Sequence, residues 1–275
     1  MDIMQVLTSR IAHLILRHSI SPSSICAVTF TNKAANEMRE RLKKILGKNR
    51  IGEVKTGTFH SLCAQFLRKY AHTIGLSDNF SICDADERYD LPIEKPILIL
   101  VSSLYSKRII RQLLKKYEEF LSARNMTVKE GIVMSKISKA KAKSITADMF
   151  AAEVEDKLRE KGTTSLDAIL FPLDIIEKIT AEIYIEYERL LRQNNSLDFD
   201  DLLVFGVKMF KAHRNAVTWC RHVLVDELCV LFPVYDFTLL ITFKSQDTNT
   251  IQYDLMQTIA YKNCVTIVGD PDQSS

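Results

Sequence analysis

The 275-residue sequence is 47% hydrophobic and 26% charged, an ordinary globular mixture that excludes a disordered or collagen-like chain. With 37 Lys and Arg against 34 Asp and Glu, the formal net charge is only +3, so a polyanion site has to come from local clustering. Eight glycines and six prolines are too few for a turn-rich β fold, and six cysteines with no C-x-x-C argue for a reducing compartment and against a zinc site. The N-terminus lacks a signal-peptide pattern. No apolar run reaches the length of a membrane span, and the nearest, 228–243, contains Pro233 and Asp236.

In chain order, residues 6–18 carry apolar residues at helical spacing, and ICAVTF (25–30) is a continuous apolar run, as in a buried parallel strand. Residues 32–46 form an amphipathic helix closed by Gly47, 54–56 a short strand, and 61–71 another helix. A strand, a polar turn and a helix, repeated, predict βαβ units in a parallel sheet. From about residue 107 the character changes: 107–143 hold eleven Lys and Arg against three acids, at helical periodicity. This run reads either as a solvated helix face or as a surface that meets phosphates. Helical patterns continue over 153–159 and 175–193. After 195 the α/β pattern returns, with a helix over 198–211 and strands over 221–225 and 264–268.

The two late strands run into Asp226-Glu227 and Gly269-Asp270, which suggests a nucleotide site at the carboxyl edge of the sheet. Asp226-Glu227 after HVLV has the form of a Walker B pair, one acid to hold Mg²⁺ and the next to place a water. Around it stand TFTNKAANEM (29–38), TFHSLC (58–63), LDFDDLL (197–203), QDTNTIQY (246–253) and VGDPDQS (268–274). These motifs, in this order, resemble the UvrD/Rep-type superfamily 1 DNA helicases. The resemblance covers nearly the whole chain but only the first half of such a helicase.

The resemblance implies a RecA-like parallel sheet of the P-loop NTPase type with an inserted helical domain. The sheet domain takes residues 1–85 and 195–275, and the helical domain 86–194. It implies an ATP-dependent 3′–5′ translocase on single-stranded DNA, or on DNA with a 3′ tail, using ATP and Mg²⁺. Such a protein is expected inside the cell, in the nucleus, and away from membranes. By the same resemblance, Asp226 and Glu227 are the catalytic acids, with Asp226 the metal ligand, and Gln246 and Gln273 sense the nucleotide. Phe30, Thr31, Asn32 and Lys33 with Thr58, Phe59, His60 and Ser61 would contact DNA. The aromatics suit base stacking, and Thr31, Asn32, Lys33, His60 and Ser61 suit phosphates. Core packing is the other use for Phe30 and Phe59.

Three features depart from the family pattern. None of the glycines (47, 52, 57, 75, 131, 162, 206 and 269) stands in G-x-x-x-x-G-K-[ST], so the P-loop itself is lacking. Residues 228–245 separate Glu227 from Gln246, where the family reads DEFQDTN. The sequence stops at GDPDQSS, where the family continues into a second RecA-like domain. Two readings fit the interruptions, genuine divergent insertions or retained introns; on the second, excision within codons 228 and 245 restores DEFQDTN, and excision within codons 88 and 106 leaves one serine. The apolar stretches 96–105 and 228–243 would then find no partner surface. The alternative function is therefore a single-stranded-DNA-binding fragment without catalytic activity.

Overall fold

A computed structural model describes residues 3–83, 96–162, 166, 171–226, 250–259 and 264–268. The chain divides into two compact units, Met1–Ile74 with Phe205–Ser275, and Gly75–Val204.

The first unit is α/β. Helix α1 (Ile3–Leu16) leads to β1 (Ile25–Thr29), α2 (Asn32–Leu46), the short α3 (Lys48–Glu53), β2 (Lys55–Thr58) and α4 (Phe59–Tyr70). Later in the chain come β5 (His222–Asp226), α11 (Thr250–Ile259) and β6 (Cys264–Val268). The four strands form one sheet in the order β2-β1-β5-β6, and every neighbouring pair is parallel. All five residues of β1 are buried, which is why its sequence is continuously apolar instead of alternating. Leu7, Ile11, Met38 and Leu42 from α1 and α2 close over Ile25, Ala27 and Leu224 of the sheet.

The second unit is helical. It contains α5 (Pro96–Leu114), α6 (Glu118–Ala123), α7 (Glu130–Ala142), α8 (Ala147–Glu160) and α9 (Pro172–Gln193). Ile110, Val133, Ile137, Val154, Ile179 and Tyr187 build its core. A two-stranded parallel sheet of β3 (Ser81–Cys83) and β4 (Ser196–Asp198) belongs to this unit. Helix α10 (Phe199–Ala212) begins in it and ends in the α/β unit.

The helical domain was expected over 86–194, but the unit runs from Gly75 to Val204. Pairing of β3 with β4 draws both flanks into it, and strands of three residues give little periodicity to read. Helix α4 starts at Phe59, two residues before the expected 61, because Thr58 and Ser61 form a capping box. Helix α3 was not foreseen; Gly47, at φ +84°, ends α2 and lets a new helix start at once. The stretch 96–105 was expected to find no partner surface. Its backbone is the first part of α5, and the side chain of Tyr105 packs against the helical core; the side chains of 96–104 lie outside what is described. The stretch 228–243 lies outside the described residues.

Candidate nucleic-acid and nucleotide site

Parallel pairing aligns Thr29 with Thr58, so β1 and β2 end side by side. Each strand passes directly into a helix, α2 after β1 and α4 after β2. Two helix N-termini therefore sit at one sheet edge, where free backbone N–H groups and the helix dipole favour negative charge.

Each junction is built by its own sequence. Thr31 caps α2, its hydroxyl accepting from Ala34 N–H at 3.1 Å. The Thr29 hydroxyl donates to the Thr31 carbonyl at 3.0 Å and tightens the turn. At the second junction Thr58 N–H donates to Ser61 Oγ (2.9 Å) and Ser61 N–H to Thr58 Oγ1 (3.2 Å). Gly57 is needed beside them, since a Cβ there would stand 2.5 Å from Ser61 Oγ.

The eight residues expected to contact DNA divide by exposure. Thr31 and Lys33 are exposed, and Phe30, Asn32, His60 and Ser61 are partly exposed. Phe59 is only 2% exposed and Thr58 only 1%. Phe59 therefore offers no face to a base, a correction to the expected stacking pair. Its ring supports Phe30 edge-to-face, with centroids 5.5 Å apart at 63°. Thr58 is likewise occupied in capping. Burial pushes the His60 imidazole down to about pKa 3, so at neutral pH it is uncharged and brings no cation to a phosphate.

Asp226 is the last residue of β5, between β1 and β6, and pairs with Val268. The topology thus brings the Asp226 backbone to the same carboxyl edge as Phe30 and Thr58. The Asp226 side chain is not described, and Glu227, Gln246 and Gln273 lie outside the described residues.

Sequence reasoning missed a buried ionic cluster in the helical unit. Lys141 Nζ of α7, 3% exposed, contacts Asp198 (2.5 Å), Glu188 (2.6 Å) and Asp201 (2.7 Å). Arg192 adds a second cation, 2.5 Å from Asp201, and the Tyr187 hydroxyl donates to Asp198 at 3.1 Å. Burial alone would strip the Lys141 proton, but the three carboxylates outweigh it and hold the ammonium firmly charged. Asp198 is raised by burial and by the charge of Asp201. Asp201 itself is lowered, because Lys141 and Arg192 outweigh its own desolvation. Glu188, Asp198 and Asp201 are close enough to hold a metal ion, but the lysine ammonium is the cation among them. One part of this cluster was readable: Asp198 and Asp201 cap α10 reciprocally through their backbone N–H groups, at 2.8 and 3.2 Å.

Comparison with known proteins bears on the same residues. The profile of the UvrD/REP helicase N-terminal domain matches residues 4–229 and 236–274, and its break falls inside the 228–245 segment. The chain is 34% identical to a probable DNA helicase II homolog of Mycoplasma capricolum, over 98% of this chain and 31% of that protein. It is 34% identical to the ATP-dependent DNA helicase SRS2 of Saccharomyces cerevisiae, over 98% of this chain and 20% of the relative. For the ATP-dependent DNA helicase PcrA of Staphylococcus aureus the figures are 30%, 98% and 30%. The chain thus spans less than a third of the length of these relatives. No helix among the described residues is long and apolar enough to cross a membrane. With the parallel sheet, the ordered motifs and a profile match across nearly its whole length, the chain belongs to the UvrD/REP helicase family, through its N-terminal domain.

Proposed function

We propose that the α/β unit holds single-stranded DNA across the carboxyl edge of its sheet, as part of an ATP-dependent DNA helicase. The supporting observation is the sheet order β2-β1-β5-β6, with both helix N-termini and Asp226 at one edge. Phe30 is the stacking residue, propped by Phe59, and Thr31, Asn32 and Lys33 face phosphates, while Ser61, whose hydroxyl donates to the Thr58 carbonyl, holds the α4 cap. His60 acts as a neutral hydrogen-bonding group. In a complete helicase Asp226 would hold Mg²⁺, Glu227 would place the attacking water, and Gln246 and Gln273 would report the nucleotide state to the DNA. Translocation on a 3′ tail and a nuclear site of action are part of this reading.

For the 275-residue polypeptide alone, we infer DNA binding without ATP turnover. Its donor set does not fit a nucleoside triphosphate: no glycine-rich loop with its lysine cradles the phosphates, and 228–245 separate Glu227 from Gln246. Phosphoryl transfer depends chiefly on positioning and charge stabilisation, so a lone acidic pair does not suffice. The test is steady-state ATPase with and without oligothymidylate. The expected result is no DNA-stimulated turnover beside measurable, salt-sensitive DNA binding. Turnover abolished by Glu227→Gln would overturn the inference.

A further inference from the structure

Residues 39–55 hold seven Lys and Arg against two Glu, so these seventeen residues carry more positive charge than the whole chain, at +3. The fold gathers this charge around a concavity. An open groove of about 460 Å³ runs beside the outer strand β2, bounded by α2, α3 and α4. Arg39, Lys43, Lys48 and Lys55 line it, with Glu40 its one acid.

The cations are not spent inside the protein. Lys48 and Lys55 are exposed and have no ion-pair or hydrogen-bond partner among the described residues. Lys43 meets Glu40 only at 3.5 Å, across an exposed pair that contributes little. Arg39 is tied more closely to the wall, donating to the Thr56 carbonyl (3.3 Å) and to Asn36 Oδ1 (3.0 Å). A charge run is by default a solvated face. Here it lines a groove, and the groove wall includes Gly57 and Ser61, which lead to the DNA-facing edge.

We propose that this groove takes the phosphodiester backbone of a nucleic-acid strand, extending the contact made at Phe30. The lining has no aromatic side chain to hold a base, so recognition there is by charge and independent of sequence. This proposal rests on the DNA-binding reading of the sheet edge, and the test separates the two.

Binding of the full 275-residue chain to labelled oligothymidylate is measured by anisotropy over a range of salt. Wild type is compared with a K43Q/K48Q/K55Q variant and with Phe30→Ala, each checked for an unchanged melting midpoint. Each neutralised phosphate contributes about 0.7 to the slope of log K against log salt on single strands. The triple variant should therefore lose about two from the slope and bind at least tenfold more weakly at low salt. Phe30→Ala should weaken binding with the slope unchanged. A triple variant with wild-type slope and affinity overturns the groove proposal and leaves the sheet-edge reading standing. Wild type that fails to bind at low salt overturns both. Binding of polyglutamate that depends on the three lysines, beside DNA binding that does not, would make the groove a protein-docking surface and overturn its assignment to nucleic acid.

Discussion

Lys141→Met removes one ammonium from among three carboxylates that it contacts at 2.5 to 2.7 Å. The cluster then holds Glu188, Asp198 and Asp201 against Arg192 alone, with Asp198 and Asp201 both buried. Breaking a buried pair by deleting one partner costs about 3–5 kcal/mol, because the remaining charge is left uncompensated. For a unit the size of residues 75–204, that corresponds to a fall in melting midpoint of about 10–20 °C. The pH dependence provides an internal control. Without Lys141 all three carboxyl groups move upward in the folded state, Glu188 and Asp198 from values already raised and Asp201 from a lowered one. A carboxyl whose folded pKa is raised contributes stability that is present below its unfolded pKa and lost as pH rises through the folded value. The deficit of Lys141→Met should therefore narrow as pH falls from 7 towards 5, and adding Asp198→Asn should restore part of it at pH 7. Calorimetry of wild type and both variants at three pH values measures this. A loss under about 1 kcal/mol, or a deficit independent of pH, would refute the charge argument.

Four further outcomes follow from the same structure. Gly206→Ala should destabilise the α/β unit by about 1–3 kcal/mol, since its Cβ would overlap the buried Cys63 side chain; Cys63→Ala should relieve it in the double variant, read by chemical denaturation. His60 has a depressed folded pKa, so its stabilisation is present above about pH 6.5 and is lost as pH falls towards 3. Its ring resonances should accordingly show no titration between pH 5 and 8. Asp200, pushed up to about 6 by burial and then by Asp198, loses its contribution as pH rises through 6. Asp200→Asn should thus stabilise the protein at pH 7.5 and change nothing near pH 4. Ser61→Ala should cost about 1 kcal/mol through the α4 cap, measured by thermal melting.

The α/β half was legible because its signals are local and agree with one another. The continuous apolar run at β1, the Thr31 cap and the Asn32 helix start all point to one strand–turn–helix, and α2 spans the residues its periodicity marks. Phe59 shows the limit of such reading. A residue just past a strand end can face either way, and only packing decides that Phe59 is buried while Phe30 emerges. The ionic cluster was not legible as a whole, since Lys141 is far in sequence from Glu188 and Asp198 and is joined to them only by tertiary packing of α7, α9 and β4. Lys141 looked like one more cation in a basic run. Lys48 and Lys55 were legible as charges, but their place in a groove depends on α3, which Gly47 starts without any helical periodicity.

In the proposed function the sheet edge grips single-stranded DNA through a Phe30 platform that needs no nucleotide. The most direct measurement is equilibrium binding of the 275-residue chain to oligothymidylate, without ATP, for wild type, Phe30→Ala and Phe30→Trp. Stacking on one base is worth about 1–3 kcal/mol. Phe30→Ala should therefore weaken binding about 5- to 150-fold. Phe30→Trp should retain the affinity, with indole fluorescence quenched as DNA is added. Equal affinity of wild type and Phe30→Ala, with no quenching of the indole in Phe30→Trp, would show that Phe30 does not stack on a base.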